Sequence, residues 1–174
     1  MQPLRIFAGH LSDVNAVRFH PNCNYVLTGS LDRTARLWDV HTGDCVRVFA
    51  GHFGAVSTVA VSPDGTTIAT AGTDRLINIW DLASGKKVKT LQGHTDVVRA
   101  VATAALADGA VRIVSGSVDR TVRVWDASGG AALATLEGHT DRVRAVATAT
   151  LADGAVRIVS GSFDRTVRVW DASG

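Results

Sequence analysis

Residues 165–174 read RTVRVWDASG, and the same ten letters stand at residues 120–129. The earlier copy runs on into GAALATLEGH, whereas the later one is the last stretch of the chain. The Trp-Asp pair inside this stretch recurs at Trp38-Asp39, Trp80-Asp81, Trp125-Asp126 and Trp170-Asp171, which accounts for all four tryptophans. A Gly-His pair precedes each one, at Gly9-His10, Gly51-His52, Gly93-His94 and Gly138-His139, in steps of 42, 42 and 45 residues. A fixed period of this length marks a repeat architecture, in which each unit buries its apolar face only against its neighbours.

Within each unit the local pattern is strands and turns. After Gly-His comes a stretch of apolar alternation such as VNAVRFH or VVRAVATAAL, then turn chemistry (HPNCN, SPDGT, and ADGA in the third and fourth units). A second strand ends in TGS, TAG or SGS, and a tight turn carries Asp32, Asp74, Asp119 or Asp164. The third strand ends at Trp-Asp, and a glycine loop (HTGD, ASGK, ASGG) leads to a fourth in CVRVFA, KVKTLQ and AALATLE. No helical period is present. Four short antiparallel strands per unit predict the blade of a β-propeller.

These motifs, present along the whole chain, resemble those of the WD-repeat (WD40) β-propeller family. The resemblance implies an all-β fold of four four-stranded antiparallel blades, about half of an eight-bladed ring. The predicted repeats span residues 9–50, 51–92, 93–137 and 138–174, with residues 1–8 as a strand that completes the last blade. Repeats one and two are similar to the WD-repeat subunit of the eukaryotic general transcription factor TFIID, and repeats three and four to recently amplified bacterial WD40 repeats. Composition marks the same seam. Every Pro, Cys, Lys and Asn lies before Gly93, and repeats three and four differ over 37 aligned positions only at Val97/Arg142, Ala105/Thr150 and Val118/Phe163. The seam predicts a chimera, an engineered scaffold built from two unlike repeat pairs.

The totals narrow the function classes. A 46% apolar share supports a packed core, and 20% charged residues with a net charge of +2 describe a mixed surface. The basic stripe that nucleic acid or an anionic membrane requires is lacking, so neither is an expected partner. The cluster Lys86, Lys87 and Lys89 reads as a solvated turn and edge strand. No leader pattern opens the sequence, and Arg99, Asp108 and Arg112 interrupt its most apolar region. Two cysteines, Cys23 and Cys45, read as reduced thiols, so a soluble protein of a cytosolic-type reducing environment is expected.

Each unit also carries His, a hydroxyl residue, Asp and Trp at fixed intervals. The sets are His10, Thr28, Asp32, Trp38; His52, Thr70, Asp74, Trp80; His94, Ser115, Asp119, Trp125; and His139, Ser160, Asp164, Trp170. Ser, His and Asp invite a hydrolase reading. A nucleophilic serine, however, needs one exposed site with an oxyanion hole, and here the set recurs in every unit with Thr replacing Ser in two. The expectation is a buried relay in which Asp orients His, His meets the hydroxyl, and the hydroxyl meets the indole. The family resemblance implies the same. No enzyme activity and no cofactor are expected. No ligand pair has zinc-type spacing, so no metal is expected either.

The resemblance places partner binding on one propeller face, formed by the loop after Gly-His and the turn before the repeated Asp. The candidates are Asp13, Asn15 and Leu31; Ala55, Ser57 and Thr73; Val97, Arg99 and Val118; and Arg142, Arg144 and Phe163, with a peptide or protein as the ligand class. Two of the three differences between repeats three and four fall here, which reads either as drift on tolerant surface loops or as variation for recognition, with Arg142, Arg144 and Phe163 as anchors for a partner.

A second expected partner is the chain itself. LRIFAGH at residues 4–10 matches VRVFAGH at residues 46–52, placing Leu4, Ile6 and Phe7 in an outer-strand pattern, while no such strand follows Trp170. An open four-blade arc leaves apolar flanks and unpaired edges. The expectation is a homodimer, each N-terminal strand completing the partner's last blade.

Overall fold

The computed structural model describes residues 4–106, 109–151 and 155–171. Parts of both ADGA turns lie outside the described residues. Among the described residues fifteen strands fall into four antiparallel sheets, each formed from consecutive strands. The first blade contains β1 (Val14–Phe19), β2 (Tyr25–Ser30), β3 (Thr34–Asp39) and β4 (Cys45–Ala50). The second contains β5 (Val56–Val61), β6 (Thr67–Gly72), β7 (Ile77–Asp81) and β8 (Lys87–Leu91). The third contains β9 (Val98–Ala105), β10 (Val111–Ser117), β11 (Val122–Asp126) and β12 (Ala132–Leu136). Among the described residues the fourth has three strands, β13 (Val143–Thr150), β14 (Val156–Ser162) and β15 (Val167–Asp171). Among the described residues no helix is long and apolar enough to cross a membrane.

The turn between the second and third strands of each blade is a tight hairpin closed by the repeated Asp. In the first blade Asp32 Oδ1 accepts from the backbone N–H and the hydroxyl of Thr34, at 2.9 and 2.6 Å. The next residue is arginine every time (Arg33, Arg75, Arg120, Arg165), with φ of 67–72°, a left-handed conformation that usually favours glycine.

Blades stack through their faces. Val56 and Val59 of β5 pack into the space left by Gly29 of β2, where a methyl group would fall 2.7 Å from Val56 Cγ1. Val143 and Val146 of β13 fill the same space at Gly116 of β10, where the distance is 2.6 Å. The tryptophans of the second, third and fourth blades plug the seam to the preceding blade: the Phe49 ring lies 5.5 Å from that of Trp80, Leu91 shares a buried cluster with Trp125, and Trp170 packs on the cluster that Leu136 joins. Trp38, Phe49, Leu91 and Trp125 are all sealed from solvent, so the core is a series of inter-blade seams.

The two outer flanks lack these neighbours. Val14 is 53% exposed, whereas its counterparts Val56, Val98 and Val143 are fully buried. At the other end, a methyl on Gly161 would meet only Ala145 Cβ, at 3.9 Å. Val167 at the open edge of β15 is 72% exposed, while its counterpart Val122 is covered completely.

Residues 5–10 belong to no sheet, yet they hold a defined place. The Phe7 ring stacks on Trp38 at 5.8 Å, the position that Phe49 takes on Trp80. Arg5 covers Gly43 as Arg47 covers Gly85 and Lys89 covers Gly130. The segment thus occupies an outer-strand position without the three strands that would accompany it, leaving Leu4 and Ile6 exposed.

Candidate functional site

Each of the four His–hydroxyl–Asp–Trp sets comes together, because strand pairing fixes the indole and hydroxyl while the loop after Gly-His lays the imidazole over them. In the third blade Trp125 Nε1–H donates to Ser115 Oγ at 2.9 Å, Ser115 Oγ lies 2.7 Å from His94 Nε2, and His94 Nδ1 lies 2.7 Å from Asp119 Oδ2. The first blade repeats this through Trp38, Thr28, His10 and Asp32 at 2.8, 2.7 and 2.7 Å. The second uses Trp80, Thr70, His52 and Asp74, and the fourth Trp170, Ser160, His139 and Asp164. One proton arrangement satisfies the whole relay: the indole donates to the hydroxyl, the hydroxyl to Nε2, and Nδ1–H to the carboxylate.

The carboxylates are held as anions. Burial of Asp119 opposes ionisation, but hydrogen bonds from His94 and from the hydroxyl and N–H of Thr121 outweigh it and keep the carboxyl far below its ordinary range. Asp32 and Asp164 are lowered equally far, and Asp74 is also lowered. In each blade the remaining Asp oxygen capacity takes up the N–H after the histidine, at Leu11, Phe53, Thr95 and Thr140. The carboxylate therefore ties the Gly-His loop to the hairpin turn as well as orienting the ring.

The Ser–His–Asp connectivity is that of a hydrolase triad, but access is not. Ser115 and Ser160 are fully buried, and each oxygen already accepts an indole N–H. No group of three or more metal-ligating side chains is assembled among the described residues.

The face candidates sort into two tiers. At the rim, each hairpin tip is clamped to the entering loop of its own blade: Leu31 N–H donates to the Asp13 carbonyl, Thr73 to Ala55, Val118 to Val97 and Phe163 to Arg142, at 2.9–3.1 Å. The guanidinium groups of Arg142 and Arg144 lie 4.3 and 5.5 Å from the Phe163 ring centre, so these three form one group. At the centre, one residue from each inner strand or the loop entering it meets around a polar cleft of about 210 Å³: Asn15, Ser57, Arg99 and Arg144. The rim and the centre were grouped together in the sequence; the convergence of these four central residues on one cleft follows only from the stacking of β1, β5, β9 and β13.

The WD domain, G-beta repeat model matches residues 1–39, 43–81, 85–126 and 130–171. The chain belongs to the WD40 repeat family. Each matched segment starts ahead of Gly-His and ends on the Asp of Trp-Asp, so it joins the outer strand position of one blade to three strands of the next. Among similar proteins is transcription initiation factor TFIID subunit 5 of Caenorhabditis elegans, 56% identical over 43 residues, 25% of this chain and 7% of that protein. A guanine nucleotide-binding protein subunit beta of Nicotiana tabacum is 54% identical over 39 residues, 22% of this chain and 10% of the relative. Protein pleiotropic regulator PRL2 of Arabidopsis thaliana is 49% identical over 39 residues, 22% of this chain and 8% of its own length. The alignments thus span a tenth or less of each relative, about one repeat.

Proposed function

We propose that this chain is a non-enzymatic WD40 assembly unit, half of an eight-bladed ring completed by a second copy. Complementary open edges carry this reading. Val14 and Val17 stand exposed at the positions where β5 presents Val56 and Val59 to Gly29, and on the opposite flank Gly161 has only Ala145 Cβ within 4 Å. The outer-strand register predicts the contact as well. Val122 pairs with Leu136 and Val124 with Ala134 in the third blade. The same alignment sets Val167 opposite the partner's Phe7 and Val169 opposite the partner's Arg5. Closure would remove two exposed apolar flanks and two unpaired edges together. The break in composition at Gly93 fits a scaffold joined from two unlike repeat pairs. Removing residues 1–8 is expected to abolish the folded dimer in light scattering; a truncated chain that still dimerises contradicts the reading.

Within that assembly the tetrads act as structural locks, one per blade. A serine-directed fluorophosphonate probe is expected to leave Ser115 and Ser160 unmodified, and labelling of either would contradict this role.

A second reading, an interaction platform for a peptide or protein, rests on the rim group of Arg142, Arg144 and Phe163. Their exposure on a varied face suits a partner anchor.

A further inference from the structure

We infer that the central cleft between the inner strands binds acidic side chains of a peptide partner, an assignment that rests on the platform reading. The cleft is lined by Asn15, Ser57, Arg99 and Arg144, and no carboxylate is among them. Among the described residues neither Arg99 nor Arg144 forms an ion pair with a carboxylate. The acidic residues of the loops entering β9 and β13 are turned to their own backbone: Asp96 Oδ1 accepts from Val97 N–H and Asp141 Oδ1 from Arg142 N–H, both at 2.7 Å. The loop entering β1 carries Asp13, which does not line the cleft.

The cleft is also partly pre-ordered. Asn15 Nδ2 is fixed by donation to the Val56 carbonyl at 3.1 Å, and the Arg144 guanidinium is held against the Phe163 ring at 5.5 Å. Two guanidinium forks and a serine hydroxyl therefore face one concave space as donors in search of acceptors. Planar carboxylates match those forks in a bidentate manner. Arg99 and Arg144 share one cleft, so a segment with several closely spaced Glu or Asp fits better than a single charge. Vicinal arginines are costly to gather, and an anionic ligand relieves their mutual repulsion.

The test is fluorescence anisotropy of a labelled hexaglutamate peptide with the full chain, with hexalysine as the control. Hexaglutamate is expected to bind, and hexalysine is not. The pair Arg99→Gln and Arg144→Gln should weaken binding at least ~10-fold, a change of about 1.4 kcal/mol, while Arg99→Lys with Arg144→Lys keeps part of it. Ser57→Asp, which leaves both arginines in place, should weaken binding as well. Hexaglutamate binding that survives Arg99→Gln and Arg144→Gln overturns the site. Binding of tripolyphosphate without hexaglutamate overturns the peptide assignment. Hexaglutamate failing while neutral peptides bind in an Arg142- and Phe163-dependent manner overturns the acidic chemistry but leaves the platform reading. Failure of every peptide overturns both.

Discussion

Trp125→Ala is expected to lower stability by about 3–5 kcal/mol, the range for removing a large buried aromatic side chain. Trp125 is sealed at the seam between the second and third blades, in one cluster with Leu91, Ile77, Val101 and Ile113. Its loss opens a cavity between two blades and also strips Ser115 Oγ of the donor at 2.9 Å. For a chain of this size the change corresponds to a drop of roughly 6–20 °C in melting temperature. Thermal melts at one fixed protein concentration measure it, because assembly makes the midpoint concentration-dependent. A variant melting within a degree or two of the parent would contradict the account of the tetrad as a lock.

Gly161→Leu is expected to separate folding from assembly. The same substitution at Gly116 drives the new side chain into Val143 and Val146, which already stand 2.6 and 3.0 Å from the first added carbon, so it disrupts a seam inside the chain. At Gly161 the nearest group is Ala145 Cβ at 3.9 Å, and the side chain points to an open flank. Gly161→Leu therefore leaves the four sheets intact and occupies the space proposed for the partner's Val14 and Val17. Circular dichroism should retain the β-sheet spectrum while light scattering gives a single chain. A Gly161→Leu variant that assembles like the parent would mean that this flank is not the contact.

Much of this structure is legible in the sequence because a repeat states each rule four times. The spacing from Gly-His to Trp-Asp, the alternation inside VNAVRFH and the position of each turn Asp all map directly onto strands and hairpins. Chemistry carried by one blade was readable for the same reason: the hydroxyl ten residues before each tryptophan meets it across adjacent strands. Two features were less accessible. Arginine in the left-handed turn position carries no sequence signature, since arginine ordinarily avoids that backbone region. The central cleft depends on how inner strands of four blades stack, and residues more than 40 positions apart meet there only through that stacking. Residues 5–10 show a third limit. Their likeness to β4 is plain in the letters, but a strand needs a neighbour, and in the single chain they dock on Trp38 without one.

The most direct measurement is the mass of the parent chain in solution at micromolar concentration, by light scattering coupled to size exclusion. A half-ring closed by its own copy gives about twice the 18.2 kDa chain mass. A stable, compact, folded monomer at that concentration would contradict the closure.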